Sequence, residues 1–129
     1  MNGKTERLVS REECGRVLIC SGGQKLSVLA KDILCFEVTR RIVRVRYDAG
    51  ETFEFSSTLD ATESALEGLG FVRAHRSFLV NMSAIERFGA TALVLRGGTV
   101  IPVGRTYKQR LERELESRAV AVLRCGKDE

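Results

Sequence analysis

The chain has 129 residues, is 43% hydrophobic and carries a formal net charge of +4. That length suits one domain, and the apolar content excludes a disordered tail. No apolar run approaches the roughly 20 residues of a membrane helix, and Met1 to Arg16 is too polar for a signal peptide, so a cytoplasmic protein not integral to a membrane is expected.

Residues 1–14 read as a flexible leader, and from Gly15 the text becomes β-like. Val17–Cys20 is a short apolar run, Ser21-Gly22-Gly23-Gln24 a turn, and Leu26–Leu29 a returning strand. Lys31-Asp32 breaks the text before a strand over Ile33–Glu37. From Ile42 the residues alternate: Val43, Val45 and Tyr47 share one face, Arg44 and Arg46 the other. That is the period of two of a half-buried strand. Asp48–Glu51 closes a hairpin, and Phe53 and Phe55 alternate with polar residues on the way back. Ser57-Thr58 supplies the cap of a short helix over 59–67, which Gly68 and Gly70 end.

Phe71 to Ile85 is the most informative stretch, holding the only His of the chain with Arg73, Arg76, Ser77 and Asn81 among apolar residues. Phe78-Leu79-Val80 reads as a strand entered through a basic turn and stopped by Asn81. Phe71, Phe78, Val80 and Ile85 are expected in the core. Ile85–Phe88 and Ala92–Arg96 read as strands, with Gly97-Gly98 as a hairpin turn before Thr99–Val103. Pro102 places that last strand at an edge or a strand end. Thr106–Val120 reads as a helix, with Tyr107, Leu111, Leu115 and Ala119 at four-residue spacing. The tail Ala119–Leu123 is expected to pack onto its own sheet. The sum is a mainly β domain of antiparallel sheets with two helices and no βαβ rhythm.

The four cysteines, Cys14, Cys20, Cys35 and Cys125, form no Cys-x-x-Cys pair. With one His they suggest no metal site, and Cys20 and Cys35 read as reduced, buried thiols. No phosphate-cradling glycine motif occurs. His75 and Ser77 point the same way on an extended segment, but no orienting acid is close in sequence. His75 reads as a turn brace, so neither an enzyme nor a cofactor is expected.

The basic residues cluster instead. Arg40 and Arg41 lie at a bend, Arg76 in a second turn and Arg105 in a third, with Lys108 and Arg110 just beyond. Guanidinium groups pair bidentately with phosphate or with the O6/N7 edge of guanine. Brought to one edge, three such turns would track a duplex.

Phe71, Arg73, His75, Arg76, Ser77, Asn81 and Ile85, in the pattern Phe-x-Arg-x-His-Arg-Ser-x-x-x-Asn-x-x-x-Ile, resemble the signature of the LytTR-type DNA-binding domain. Asp32-Ile33-Leu34-Cys35-Phe36-Glu37, Ser57-Thr58-Leu59 and Ile101-Pro102-Val103-Gly104-Arg105 are similar to three flanking pieces of that family. The resemblance covers roughly residues 14–118. It implies an elongated, sandwich-like set of antiparallel sheets over residues 15–118, with residues 119–129 as a tail. It also implies loops that enter successive major grooves of double-stranded DNA. Base reading falls to Arg40 or Arg41, to Arg76 and to Arg105. Arg44, Ser77 and Lys108 are expected on phosphates, with His75 and Asn81 as braces of the turn. Gly104 stands where Ser is commoner, which leaves its backbone N–H free for an anion.

The expected function is therefore that of a sequence-specific transcriptional regulator. The short text before residue 15 argues against a phosphoacceptor receiver on this chain. Repeated half-sites, a homodimer on DNA and a membrane-bound inhibitor are expected by family analogy alone. The alternative is a protein-interaction module that sequesters a partner regulator through its C-terminal helix or tail.

Overall fold

The computed structural model describes residues 15–48 and 50–126; the expected leader and Cys14 lie outside them. Among these residues, ten strands and two α-helices follow in order. The strands are β1 (Arg16–Ser21), β2 (Gln24–Leu29), β3 (Ile33–Thr39), β4 (Ile42–Tyr47), β5 (Glu51–Ser56), β6 (Phe71–His75), β7 (Phe78–Asn81), β8 (Ile85–Phe88), β9 (Ala92–Leu95) and β10 (Val100–Pro102). Helix α1 (Leu59–Ala65) joins β5 to β6, and α2 (Arg105–Arg118) follows β10. The fold is mainly β, as expected, with three antiparallel sheets: the hairpin β1-β2, the central sheet β5-β4-β3-β7-β6, and β10-β9-β8.

Both faces of the central sheet are packed. Period-two alternation sends Phe36, Val43, Val45 and Leu79 to one face, where Ile19 and Val28 of the hairpin and Leu59 of α1 meet them. Val72, Ala74 and Val80 turn to the other face, against Leu93, Leu95, Ile101 and Leu111. Leu111 is fully buried and anchors α2; burying one Leu side chain contributes about 1.5–3 kcal/mol. Thr58 caps α1 as expected, its Oγ1 accepting from the Ala61 N–H at 3.1 Å.

Several expectations change. Phe71–His75 is a strand in its own right, pairing antiparallel with β7, so the motif is a hairpin. Phe71 packs edge-on against Phe36, with ring centroids 5.8 Å apart. Its polar Arg73 and His75 hid this alternation, in which Val72 and Ala74 face inward. Helix α2 begins at Arg105, one residue earlier than expected, and ends at Arg118. The tail does not pack: Val120 is 103% and Leu123 is 95% exposed.

Arg46 shares a face of β4 with Arg44, as the alternation predicts, but it is half-buried while Arg44 is exposed. A register shift in β3 between Ile33 and Cys35 brings Cys35 opposite it. Cys20 is exposed because Ile19 takes the inward position of β1; Cys35 is buried as expected. Burial pushes the Cys35 thiol up to about 11, against a partial opposing pull from Arg46. The thiolate is the reactive form. Iodoacetamide at neutral pH is therefore expected to label Cys20 and Cys125 while leaving Cys35 unmodified until the protein is unfolded. Peptide mass mapping checks this, and labelling of Cys35 at the rate of Cys20 would contradict its burial.

Candidate nucleic-acid interface

Each basic turn is built by its local sequence. Thr39 pairs with Ile42, so Arg40 and Arg41 are the two central residues of the β3–β4 hairpin. Both have positive φ, +52° and +66°. This is the backbone of a type I′ turn, which fits the right-handed twist of the strands but favours Asn-Gly. Two arginines there are strained, since an L side chain in the left-handed region costs roughly 1–2 kcal/mol.

Arg76 and Ser77 form the turn between β6 and β7. His75 Nδ1 accepts from the Ser77 N–H at 3.1 Å, and the His75 ring packs edge-on against Phe78. The bond requires an unprotonated Nδ1, so the neutral ring carries its proton on Nε2. Arg105 is the first residue of α2, with Gly104 as an N-cap that makes no side-chain bond. The first turn of α2 has no acidic residue and carries Arg105 and Lys108. Cations there oppose the helix dipole by about 0.3–1 kcal/mol.

Backbone hydrogen bonds bring the three turns to one end of the central sheet. Val38 N–H donates to the Ser77 carbonyl at 3.0 Å, which ties the Arg40-Arg41 hairpin to the Arg76-Ser77 turn. A register shift between Arg73 and His75 turns the Ala74 carbonyl outward, and it accepts from the Gly104 N–H at 2.8 Å. Arg105 is thereby fixed beside the same turn. The Gly104 N–H is thus spent on Ala74 and is not free for an anion. A Cβ at Gly104 would lie 3.1 Å from the Tyr107 ring and 3.7 Å from His75 Cα, so the glycine permits this close docking.

Arg40, Arg41, Arg76 and Arg105 are all exposed; Ser77 and Lys108 are half-buried. A hollow of about 310 Å³ at this end is lined by Arg41, Arg73, Arg76, Thr58 and Asp60, among others. Arg40 does not line it, which separates the two hairpin arginines. Arg44 is committed elsewhere: its guanidinium donates to Glu54 at 2.7 and 2.9 Å across β4 and β5. That bond and the charge of Glu54 push the Arg44 pKa further up.

Asn81 sits at the other end of β7, away from the basic turn. It is 4% exposed. Its Nδ2 donates to the carbonyls of Ala30 (3.3 Å) and Ile33 (2.8 Å), and its Oδ1 accepts from the N–H (3.1 Å) and hydroxyl (2.9 Å) of Ser83. It braces the entries to β3 and β8, not the turn at Arg76. Sequence reasoning also passed over Arg73. That guanidinium clamps β6 to α1, 2.5 Å from Asp60 and with Nε 3.3 Å from Glu63, near enough for attraction without hydrogen-bond alignment. The Asp-x-x-Glu spacing in the first turns of α1 was the available signal.

Comparison with known proteins bears on the family and the fold. The family model of the LytTr DNA-binding domain matches residues 24–116. The Sensory transduction protein LytT of Bacillus subtilis (strain 168) is 32% identical over 108 residues, covering 74% of this chain and 45% of the relative. The Transcriptional regulatory protein BtsR of Salmonella typhi is 29% identical over 111 residues, covering 81% of this chain and 45% of that protein. The chain thus spans less than half the length of these curated relatives. A solved LytTr DNA-binding domain from Bacillus cereus has the same fold, with a TM-score of 0.66 at 23% identity, over 78% of this chain and 95% of that one. The match of the family model over most of the chain, together with the hairpin motif at its centre, shows that this protein belongs to the LytTr DNA-binding domain family.

Proposed function

We infer that the chain is a sequence-specific DNA-binding transcriptional regulator whose basic turns enter successive major grooves. One observation carries the reading: three turns from distant parts of the chain are hydrogen-bonded to one end of one sheet, each presenting an exposed arginine. Two of the three carry a structural cost, positive φ at Arg40-Arg41 and cations at the start of α2. Costs of this kind persist where function requires them. Arg41, Arg76 and Arg105 are the base readers. Arg40 sits beside them, while Ser77 and Lys108 hold phosphates and set register. Arg44 joins the phosphate contacts only by leaving Glu54. The bond from Ser77 to His75 gives the Arg76 turn its shape.

Arg76→Ala is expected to cost about 1–3 kcal/mol on the cognate site and to relax base preference at one position. Gel shifts on a selected site and on random DNA measure both. Equal losses on the two would remove Arg76 from the base readers.

The exposed tail favours a second reading, an interaction module that sequesters a partner regulator. Val120 and Leu123 are apolar and fully open. The same gel shift separates the two readings: no retention of genomic fragments at moderate salt, up to micromolar protein, favours the module.

A further inference from the structure

Arg41, Arg76 and an acid, Asp60, line one hollow. Asp60 is in the first turn of α1, and its side chain is 90% exposed. Arg73, only 12% exposed, holds Asp60 Oδ1 from beneath at 2.5 Å, with Glu63 as its second partner. The carboxylate is therefore open to solvent yet fixed in direction. A favourable helix dipole accounts for an acid at this position. It does not account for an exposed carboxylate held by a largely buried guanidinium in a hollow that two basic turns also line.

On a surface that meets DNA, phosphates repel a carboxylate, whereas the Oδ2 of Asp60, which Arg73 does not engage, can accept from a base edge. Arginines donate and do not accept, which suits them to guanine O6 and N7. The exocyclic amino groups, cytosine N4 and adenine N6, need an acceptor. We propose that Asp60 is a specificity-determining residue. It accepts a hydrogen bond from the exocyclic amine of a base lying between those read by Arg41 and Arg76, and Arg73 positions it. This rests on the DNA-reading function inferred above.

Binding-site selection from a random DNA pool tests it, run in parallel on the full chain and on Asp60→Asn and Asp60→Ala. Thermal melting checks that each variant is folded. The wild-type chain is expected to select cytosine or adenine at one position flanked by guanines. Asp60→Ala should lose that preference by about tenfold while keeping the guanines. Asp60→Asn, which offers both a donor and an acceptor, should move it toward adenine N6/N7. If the wild-type chain selects a site and both variants select the same one, the inference fails while the DNA-reading function stands. It fails equally if both variants bind cognate and random DNA more tightly by the same factor, because Asp60 then only repels phosphate. If the wild-type chain selects no site, the DNA-reading function itself falls.

Discussion

Replacing Arg40-Arg41 with Asn-Gly should raise the stability of the folded protein by about 1–2 kcal/mol while weakening its cognate complex on the order of a hundredfold. The two effects come from one geometry. Both arginines sit at positive φ in a two-residue turn, where Asn and Gly are the favoured pair. Their side chains are exposed, so little packing is lost with them. The substitution relieves backbone strain and removes two cations from the end of the sheet that also carries Arg76 and Arg105. Urea denaturation and gel shifts on the same preparation read both quantities. A destabilised variant would mean that the arginines hold the hairpin together. Unchanged binding would take this turn out of the interface.

Asn81→Ala is expected to destabilise the fold by about 3 kcal/mol and to leave base preference intact in the protein that remains folded. Asn81 makes four hydrogen bonds from a buried position. Its loss leaves the carbonyls of Ala30 and Ile33 short of a donor, and each buried unsatisfied group costs roughly 1–3 kcal/mol. Asn81→Asp should be worse at neutral pH, since a carboxylate would face two carbonyl oxygens where an amide now donates. Denaturant midpoints of the two variants, with a binding-site selection on the folded fraction, test the assignment. A loss under 1 kcal/mol would show that water replaces the side chain. An altered base preference would return Asn81 to the reading face.

The structure divides a motif that is continuous in sequence. Arg76 and Asn81 stand five positions apart, at opposite ends of β7, and their environments share nothing. Residue type alone does not separate them, because Asn is common both on DNA-reading faces and in buried braces. Burial separates them, and burial is a property of the whole fold.

Local chemistry was enough for much of this protein. Alternation at Val43, Arg44 and Val45, the cap at Thr58 and the Gly97-Gly98 turn each follow from interactions within a few residues. So does the presence of three basic turns, which composition and spacing made legible before any fold was known. Long-range pairing decided the rest. The register shift in β3 sets Cys35 opposite Arg46, the bulge at Ala74 docks Gly104, and Glu54 across the strand pair occupies Arg44. A one-residue shift re-aims side chains and carbonyls alike, and its position depends on partners tens of residues away. The sequence by itself thus determined that arginines stand in turns. Only the tertiary structure decided which of them meet at one end of the sheet, because inter-strand hydrogen bonds, not sequence neighbours, hold them there.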